Sequence, residues 1–567
     1  MSGEHDTYVK ASSTHTFLWP FTFESDFFSF DKENPQKTPA RKWHYDDVPK
    51  SETSERFLDA YMVAQYFNAQ ARKIFTDVGS AEEKNKAWDK KPKIPSCLRF
   101  FYDESDVTKM SYLIKNTDIT YELKLHSVRL FLFVPFSIGI LAIDAMNDNQ
   151  AYKLSDIKLI NDQGRRIRLP FIPRKNGAVD DDGFIMCAEN LGVVLRENGQ
   201  DVERWVQDFR ADIKNIDPRN SQELFAPASF IYGFLSGQIG TGNQKRLYSM
   251  DGVTPASDDR MFLVSMIKDE NLSDSGKRIN ILLEKKRATK SLERDDIYSV
   301  VFADPNDPSC VDPAMQSEIL RKVIYRRWSD VGTLYATTNL SCMCLTSPSA
   351  PLDIVCRPFL TEYTAMVILV LAQRVSIEKF AQEAADVVRG AEQKGTLDDE
   401  QITEMMELHE RYVTWQNQIN LFEITDQEQG VEMYALMRKQ MGVEGRVKAL
   451  AGQLDDMYAI ANVDQNTNTN DIVAWFAIIA IFMNLASFVL ELTETGKQIF
   501  VPEEEIPTGL AEFFGLINSG ATVETKYAAT ANLMALLQGL SILIAVLAIV
   551  YLCWVKFLKK LLMKLFK

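Results

Sequence analysis

Two short segments concentrate arginines in a chain that is otherwise acidic, with a net charge of −15. They are LINDQGRRIRLPFIPRK at residues 159–175 and KVIYRRWSD at residues 322–330. Guanidinium groups match the oxygens of a phosphate, and an aromatic face can stack on a base, so these segments predict contacts with a nucleotide. The predicted ligand contacts are Arg165, Arg166, Arg168, Arg326, Arg327 and Trp328. The alternative is that the arginines pair with the protein's own surplus carboxylates.

The acidic balance argues against direct binding of DNA or RNA, because duplex-binding proteins usually carry a basic patch. The sequence also lacks a nucleophile signature and a pair of metal ligands at helical spacing. Its five histidines are scattered, at His5, His15, His44, His126 and His409. We therefore expect a protein that is not an enzyme, with no catalytic residues, no covalent cofactor and no identified metal ligands.

The elements that would position the arginines form a mixed domain over residues 1–358. Short β-type runs (LRFFY, TYELKL, VRLFLFVPFSIGILAID and IRLPFI) are found between residues 98 and 172, bounded by Asn, Asp and Gly. Further strands are predicted at residues 260–267, 297–303 and 333–345, the last with two thiols, Cys342 and Cys344, on one face. Helix-like stretches between these runs predict an α+β cytosolic sensor domain.

Residues 359–470 change character and predict long stalk helices, with no proline between residues 399 and 470. A heptad seam with spacings of four and three favours packing against neighbouring helices. The seam consists of Val443, Val447, Leu450, Leu454, Met457 and Ala461. Gly442, Gly445 and Gly452 interrupt it, which predicts close backbone contact or a flexible point. The alternative to a stalk is a pair of ordinary helices packed within one domain.

The chain ends with two apolar runs, at residues 472–490 and 533–555, that contain no charged residue. Each can cross the roughly 30 Å hydrocarbon layer, so we predict transmembrane helices at 471–493 and 531–555. Lysines in the tail at 556–567 place the C-terminus in the cytoplasm. Two crossings place the N-terminus there as well, with an acidic extracytoplasmic segment at 494–530. This predicts a multi-pass protein of the inner membrane, in contact with lipid.

Small and polar residues recur at helical spacing along the first predicted span. They are Asn470, Ala477, Ala480, Asn484, Ser487, Glu491 and Glu494. Polar groups in hydrocarbon are costly unless they face protein or water, so Asn484 should point inward. In a ring of subunits its amides could replace part of an ion's hydration shell, and the two glutamates would concentrate cations. The alternative is that Asn484 and Ser487 only bridge helices.

The order of these parts resembles the CorA family of divalent-cation channels. The resemblance is carried by EITDQEQGVEMYALMRKQMG at residues 423–442 and by the Asn-rich NVDQNTNTNDIVAWFAIIAIF at residues 462–482. It implies a funnel-shaped homopentamer, with magnesium or another divalent cation as the permeant or regulatory ion. The family's Gly-Met-Asn filter has no counterpart here, since the only similar triplet is Phe482-Met483-Asn484. The resemblance therefore implies the channel architecture and does not carry over magnesium selectivity.

The enlarged cytosolic part on a divergent CorA-like pore resembles the CorA-type membrane effectors of type III CRISPR systems. That resemblance implies an activating nucleotide second messenger, adenylated S-adenosylmethionine (SAM-AMP), and an antiviral role in which opening disrupts the membrane. We expect the ligand to favour one arrangement of the stalk helices and so to widen the ring between Asn470 and Asn484. The alternatives are a magnesium transporter that is constitutive or regulated by its own ion, and a membrane-tethered enzyme.

Overall fold

The computed structural model describes thirteen segments of the chain, which fall within one compact unit. The segments are residues 8–24, 42–46, 55–76, 96–149, 151–176, 178–180, 183–197, 200–215, 225–236, 252–284, 292–305, 307–394 and 399–466. Both predicted membrane spans, the acidic segment between them and the basic tail lie outside the described residues.

The strands divide between one large sheet and a small hairpin. They are β1 (Ser13–Phe23), β2 (Trp43–Tyr45), β3 (Leu98–Tyr102), β4 (Met110–Lys115), β5 (Thr120–Phe133), β6 (Ile138–Asn147), β7 (Arg174–Lys175), β8 (Ala178–Val179), β9 (Asn190–Glu197), β10 (Gln200–Asp208), β11 (Val253–Pro255), β12 (Phe262–Lys268), β13 (Ile324–Tyr325), β14 (Leu334–Thr337) and β15 (Ser341–Thr346).

The helices lie mainly on the two faces of the large sheet. They are α1 (Glu55–Tyr66), α2 (Ala69–Phe75), α3 (Glu104–Val107), α4 (Leu154–Gly164), α5 (Phe209–Asn215), α6 (Ser229–Ser236), α7 (Glu270–Lys277), α8 (Ile279–Glu284), α9 (Leu292–Phe302), α10 (Pro313–Val323), α11 (Thr364–Lys394), α12 (Asp399–Gln418), α13 (Glu428–Gln440) and α14 (Val443–Asn466). The fold is therefore α+β, as the sequence predicts.

The main path of the large sheet has the order β10-β9-β4-β5-β6-β1-β12-β15-β14-β13. Neighbouring strands are antiparallel except β12 and β15, which run parallel. Strand β1 is central, since Ser13 pairs with Asn147 of β6 on one side and with Ile267 of β12 on the other. The short strand β11 pairs with the end of β1, from Phe21 to Phe23.

Alternate side chains of the central strands enter two separate cores, as the period of two in a β-strand requires. Phe17 and Trp19 of β1 belong to the first core, which helices α3 to α10 cover. Leu18 belongs to the second core, which α2 and α11 to α14 cover. The sheet is thus the middle layer of three. The thiols of Cys342 and Cys344 share the face of β15 that enters the second core, which confirms their predicted placement.

Two of the predicted strands are wrong. Residues 297–303 lie largely in helix α9, whose side chains from Ile297 to Val301 are all buried. A helix buried on most sides has a continuous apolar run like that of a buried strand, so periodicity does not separate the two. Residues 167–172 form no strand, and the nearest pairing is an isolated bridge between Arg166 and Arg260. The runs at 98–102, 120–133, 138–147, 262–268 and 341–346 are strands.

Helix α11 is the longest helix among the described residues and continues from two π-helical turns that begin at Leu352. The continuous helix Leu352–Arg389 is long and apolar enough to cross a membrane, and 72% of its most apolar window is buried inside the body. It packs on β1 and β6 as part of the second core. Within the described residues, its burial is that of a core helix.

The helices after α11 share this core and do not form one continuous rod. Gly442, with a φ of 70°, separates α13 from α14. Of the predicted heptad seam, Val443, Leu450, Leu454 and Met457 are buried and Val447 is partly buried, so the predicted packing of α14 is confirmed. The partners of α14 include α11 and α12.

Candidate functional site

One cleft of the described body lies between helix α11 and the loop that joins β11 to β12, and we call it the α11 cleft. Its volume is about 630 Å³. Its lining residues are Pro20, Thr22, Pro255, Ala256, Ser257, Asp258, Arg260, Phe262, Asn339, Leu340, Leu371, Arg374, Val375, Glu378, Lys379, Gln382 and Glu383. This volume lies within the range of small-molecule sites, roughly 300–1,000 Å³, but the lining carries more charged side chains than is usual for them.

The local fold explains why these residues meet. On α11, the lining residues recur at alternating spacings of three and one from Leu371 to Glu383, which places them on one face of the helix. On the opposite side, β11 pairs with the end of β1, where Val253 lies beside Phe23. The loop that follows β11 lines the cleft and leads into β12, which also pairs with β1. The turn between β14 and β15 supplies Asn339.

Three cations line the cleft, and each has a partner in the protein. Arg260 donates to Asp258, with 2.5 Å between Nη2 and Oδ2. Arg374 Nη1 donates to the backbone oxygen and the side-chain oxygen of Asn339, at 2.9 and 2.8 Å. Lys379 Nζ lies 3.1 Å from the carbonyl oxygen of Phe136.

Burial and neighbouring charges act in opposite directions on these cations. Burial lowers the pKa of the Lys379 ammonium, and the nearby Glu383 only partly offsets that effect. Burial also disfavours the charged form of Arg260, but Asp258 and Asp259 outweigh it and raise the pKa of this guanidinium. Of Lys379 and Arg260, Lys379 is therefore the cation whose charged form the protein stabilises less.

The carboxylates of the cleft connect α11 to helices α12 and α14. Glu378 Oε1 accepts from Arg374 Nε at 3.2 Å and from Arg446 Nη1 of α14 at 2.6 Å. Glu383 Oε2 accepts from Arg411 Nη2 of α12 at 2.7 Å. A ligand that changes the contacts of Glu378 or Glu383 would therefore also change how α11 is paired with α14 or α12.

Arg165 lies behind this cleft and does not line it. Its backbone oxygen accepts from the backbone N–H of Met261, the residue after Arg260. Its Nη2 donates to the carbonyl oxygens of Phe302 and Ala303, both at 3.1 Å, while its Nε and Nη1 have no partner among the described residues. Burial is the main cause that lowers the pKa of this guanidinium to about 10.

Arg166 is also buried, in an ion-paired cluster. Its Nε lies 3.0 Å from Asp162 Oδ1 and its Nη1 lies 2.9 Å from Asp259 Oδ2. Its backbone forms the isolated bridge to Arg260, so the predicted arginine segment adjoins the cleft through the main chain. The guanidinium itself is paired with the protein's own carboxylates, as in the alternative stated from the sequence.

Arg168 and Arg326 lie closer to the surface. Arg168 Nη1 donates to the carbonyl oxygen of Phe225 at 3.2 Å, and its guanidinium lies 5.3 Å from the centroid of that ring. Arg326 Nη1 donates to Asn280 Oδ1 at 2.8 Å. In these contacts neither guanidinium is paired with a carboxylate.

Arg327 joins the segment after β13 to helix α13. Its Nη2 lies 2.8 Å from Glu428 and its Nη1 lies 3.0 Å from Glu432. The neighbouring ring of Trp328 is 42% exposed. Arg327 is already paired with two carboxylates of the protein, whereas the exposed ring of Trp328 can still contact a ligand.

The predicted pore residues lie outside the described residues: Asn470, Ala477, Ala480, Asn484, Ser487, Glu491 and Glu494. The α11 cleft was missed by sequence reasoning. Its lining comes from four parts of the chain, and the one local signal was the spacing of charges on α11, where Arg374 and Glu378 are four residues apart.

A buried hydroxyl–imidazole pair is present in the first core. Ser13 Oγ lies 3.0 Å from His15 Nε2, and His15 Nδ1 lies 2.7 Å from Asn161 Oδ1. Burial lowers the pKa of His15 to about 4, which keeps the ring neutral at pH 7. A nucleophile activated by a base needs such a contact, but all three side chains are 0% exposed. The geometry fits a hydrogen-bonded core cluster.

Within the described segments, no group of three or more His, Cys, Asp or Glu side chains is placed to hold a metal ion. No family model, no curated protein and no solved structure matches this chain. What the fold and the cleft define is a three-layer α+β body with a mixed-charge cleft against its longest helix.

Proposed function

We propose that the protein is a ligand-gated cation channel of the CorA type, anchored in the inner membrane by two C-terminal helices. The observation that carries the proposal is the connection between the α11 cleft and the end of the body. Glu378 of the cleft is paired with Arg446 of α14, and α14 ends at Asn466, six residues before the first charge-free apolar run begins at residue 472.

The proposed subunit has a cytosolic body and helices at 471–493 and 531–555 that cross the membrane. A single two-helix anchor encloses no channel, so the subunits assemble as a ring, a homopentamer by resemblance to the CorA family. The stripe from Asn470 to Glu494 lines the pore, with Asn484 as the polar position in the hydrocarbon and Glu491 near the outer mouth.

The activating ligand in this proposal is a nucleotide second messenger, SAM-AMP by resemblance to the CorA-type CRISPR effectors. Binding in the body shifts the equilibrium between two arrangements of the helices near the membrane, and does so only through a difference in affinity for the two states. Opening lets cations cross the inner membrane, which would disrupt the membrane of an infected cell as an antiviral response.

Divalent-cation flux into proteoliposomes tests the proposal. The purified full-length protein is expected to pass Mg²⁺ when SAM-AMP is present and not without it, with a panel of cyclic oligonucleotides for comparison. A Glu491→Gln/Glu494→Gln variant should pass less Mg²⁺ at the same ligand concentration, because it lacks the carboxylates that concentrate cations. Steady flux without ligand would favour a magnesium transporter, and no flux under any condition would reject the channel.

A further inference from the structure

We propose that the α11 cleft is the ligand site of this protein and that it selects a nucleotide-sized zwitterion, a molecule that carries both an anionic and a cationic group. The choice of probes below rests on the proposed function, whereas the site itself is argued from the cleft alone. Its volume of about 630 Å³ lies within the range of small-molecule pockets, roughly 300–1,000 Å³.

The charges of the lining argue for a zwitterion. Arg260, Arg374 and Lys379 face the cleft, and so do Asp258, Glu378 and Glu383. A purely anionic ligand would be attracted by the three cations but repelled by the three carboxylates. A purely cationic ligand would be attracted by the carboxylates and repelled by the cations. A ligand with both charges can place each group against its complement.

The uncharged lining adds two features that suit a nucleotide. Pro255, Ala256 and Leu340 are only partly buried and provide apolar surface against which a ring can lie. Ser257 also lines the cleft, and its hydroxyl is buried without a partner among the described residues. A buried hydroxyl without a hydrogen bond is unfavourable, so a ligand that pairs with it removes an existing cost.

Glu378 connects this site to α14, because its carboxylate is paired with Arg446 of that helix. The side chains of Glu378 and Arg446 are 43% and 38% exposed, and ion pairs with this exposure contribute little to stability. The cationic group of a ligand can therefore compete with Arg446 for Glu378. Its anionic group is drawn at the same time to Arg374 and Lys379, which both line the cleft. The result is a loss of the α11–α14 ion pair when the ligand binds.

The test is equilibrium binding to the purified full-length protein in detergent, with SAM-AMP, ATP and decarboxylated S-adenosylmethionine as probes. Arg374→Gln is expected to weaken SAM-AMP binding about tenfold or more, because it removes a charge-assisted contact. Ser257→Ala should weaken it about threefold and leave the thermal midpoint unchanged or higher, since the lost hydroxyl has no partner in the folded body. Arg389→Gln on the same helix is the control, because Arg389 is 63% exposed and does not line the cleft.

The preference for both charges is tested with the same proteins. ATP, which is only anionic, and decarboxylated S-adenosylmethionine, which is only cationic, should each bind at least tenfold more weakly than SAM-AMP. Arg446→Gln should tighten SAM-AMP binding about threefold by releasing Glu378. The inference is overturned if wild-type protein binds none of the probes. It is also overturned if Arg374→Gln and Ser257→Ala both bind within twofold of wild type, or if either partial probe matches SAM-AMP.

Failure of the site and failure of the channel give different results. If SAM-AMP opens Mg²⁺ flux and Arg374→Gln changes neither binding nor flux, the site is wrong and the proposed function stands. If SAM-AMP binds with the expected variant effects but no flux appears, the site stands and the proposed channel is wrong.

Discussion

Removal of the Arg166 guanidinium should destabilise the body strongly. Arg166 is paired with Asp162 and Asp259, and the side chains are 8%, 4% and 15% exposed. Arg166→Ala would leave the buried Asp162 without an ion-pair partner and Asp259 with only its 3.7 Å contact to Arg260. Loss of one member of a buried ion pair costs about 3–5 kcal/mol. Burial raises the pKa of Asp162 even though Arg166 and Arg165 oppose this effect, so its charged form depends on these arginines.

Urea unfolding of the full-length protein in detergent, followed by tryptophan fluorescence, measures this cost. Trp19 is fully buried in the first core, so its emission reports loss of the packed body. The matched control is Arg196→Ala. Arg196 also pairs with two carboxylates, Glu122 and Asp201, but all three side chains are between 35% and 40% exposed. We expect the control to cost about 1 kcal/mol or less.

Equal and small effects of the two variants would refute the reasoning. A second variant separates unpaired charge from lost packing: Arg166→Met with Asp162→Asn and Asp259→Asn removes all three charges together. Replacement of a whole buried ion pair is often close to neutral, so this triple variant should recover most of the stability that Arg166→Ala loses. If it is as unstable as Arg166→Ala, the unpaired charge is not the cause.

Three further outcomes are expected. Burial lowers the folded pKa of His15 from 6.5 to about 4, so the free energy of unfolding should fall by about 3 kcal/mol in total as the pH drops from 6.5 towards 4. Urea unfolding at a series of pH values measures this fall. It should be weaker for His15→Gln than for wild type or for His44→Gln, the control at an exposed histidine. Gly139→Ala should cost about 1–3 kcal/mol, because its new methyl would lie 2.1 Å from the Phe21 ring, and a normal thermal midpoint would contradict this. Gly452→Ala should stabilise α14 by about 1 kcal/mol, because nothing lies within 4 Å of the added methyl. A lowered thermal midpoint would contradict this and would indicate that another subunit contacts Gly452.

Much of the fold could be predicted from local pattern. The α+β class, five of the strands and the long helix α11 follow from β-type runs bounded by turn residues and from helical periodicity. The central strand β1 was missed, because Phe17 and Trp19 enter one core and Leu18 enters the other. A strand buried on both faces has no alternation of apolar and polar residues. The aromatic run of β1 therefore matches neither the pattern of a half-buried strand nor that of an amphipathic helix.

The candidate site could not be predicted in the same way. Its charges are on α11 and on the loop before β12, which are more than a hundred residues apart, and only the tertiary fold brings them together. The arginine clusters were visible in the sequence, but the burial of Arg165 and Arg166 beside main-chain oxygens and carboxylates was not. A cluster of arginines in a sequence predicts contacts with anionic or polar acceptor groups. It does not show whether those groups belong to a ligand or to other residues of the chain.

The most direct test of the account is the dependence of Mg²⁺ flux on SAM-AMP concentration in proteoliposomes, compared between wild type and Arg374→Gln. The account predicts no flux without ligand, and for the variant a half-maximal concentration about tenfold higher with the same maximal rate, because the cleft residue affects binding and not the pore. Flux that ignores SAM-AMP in the wild type, or identical concentration dependence in the two proteins, would contradict it.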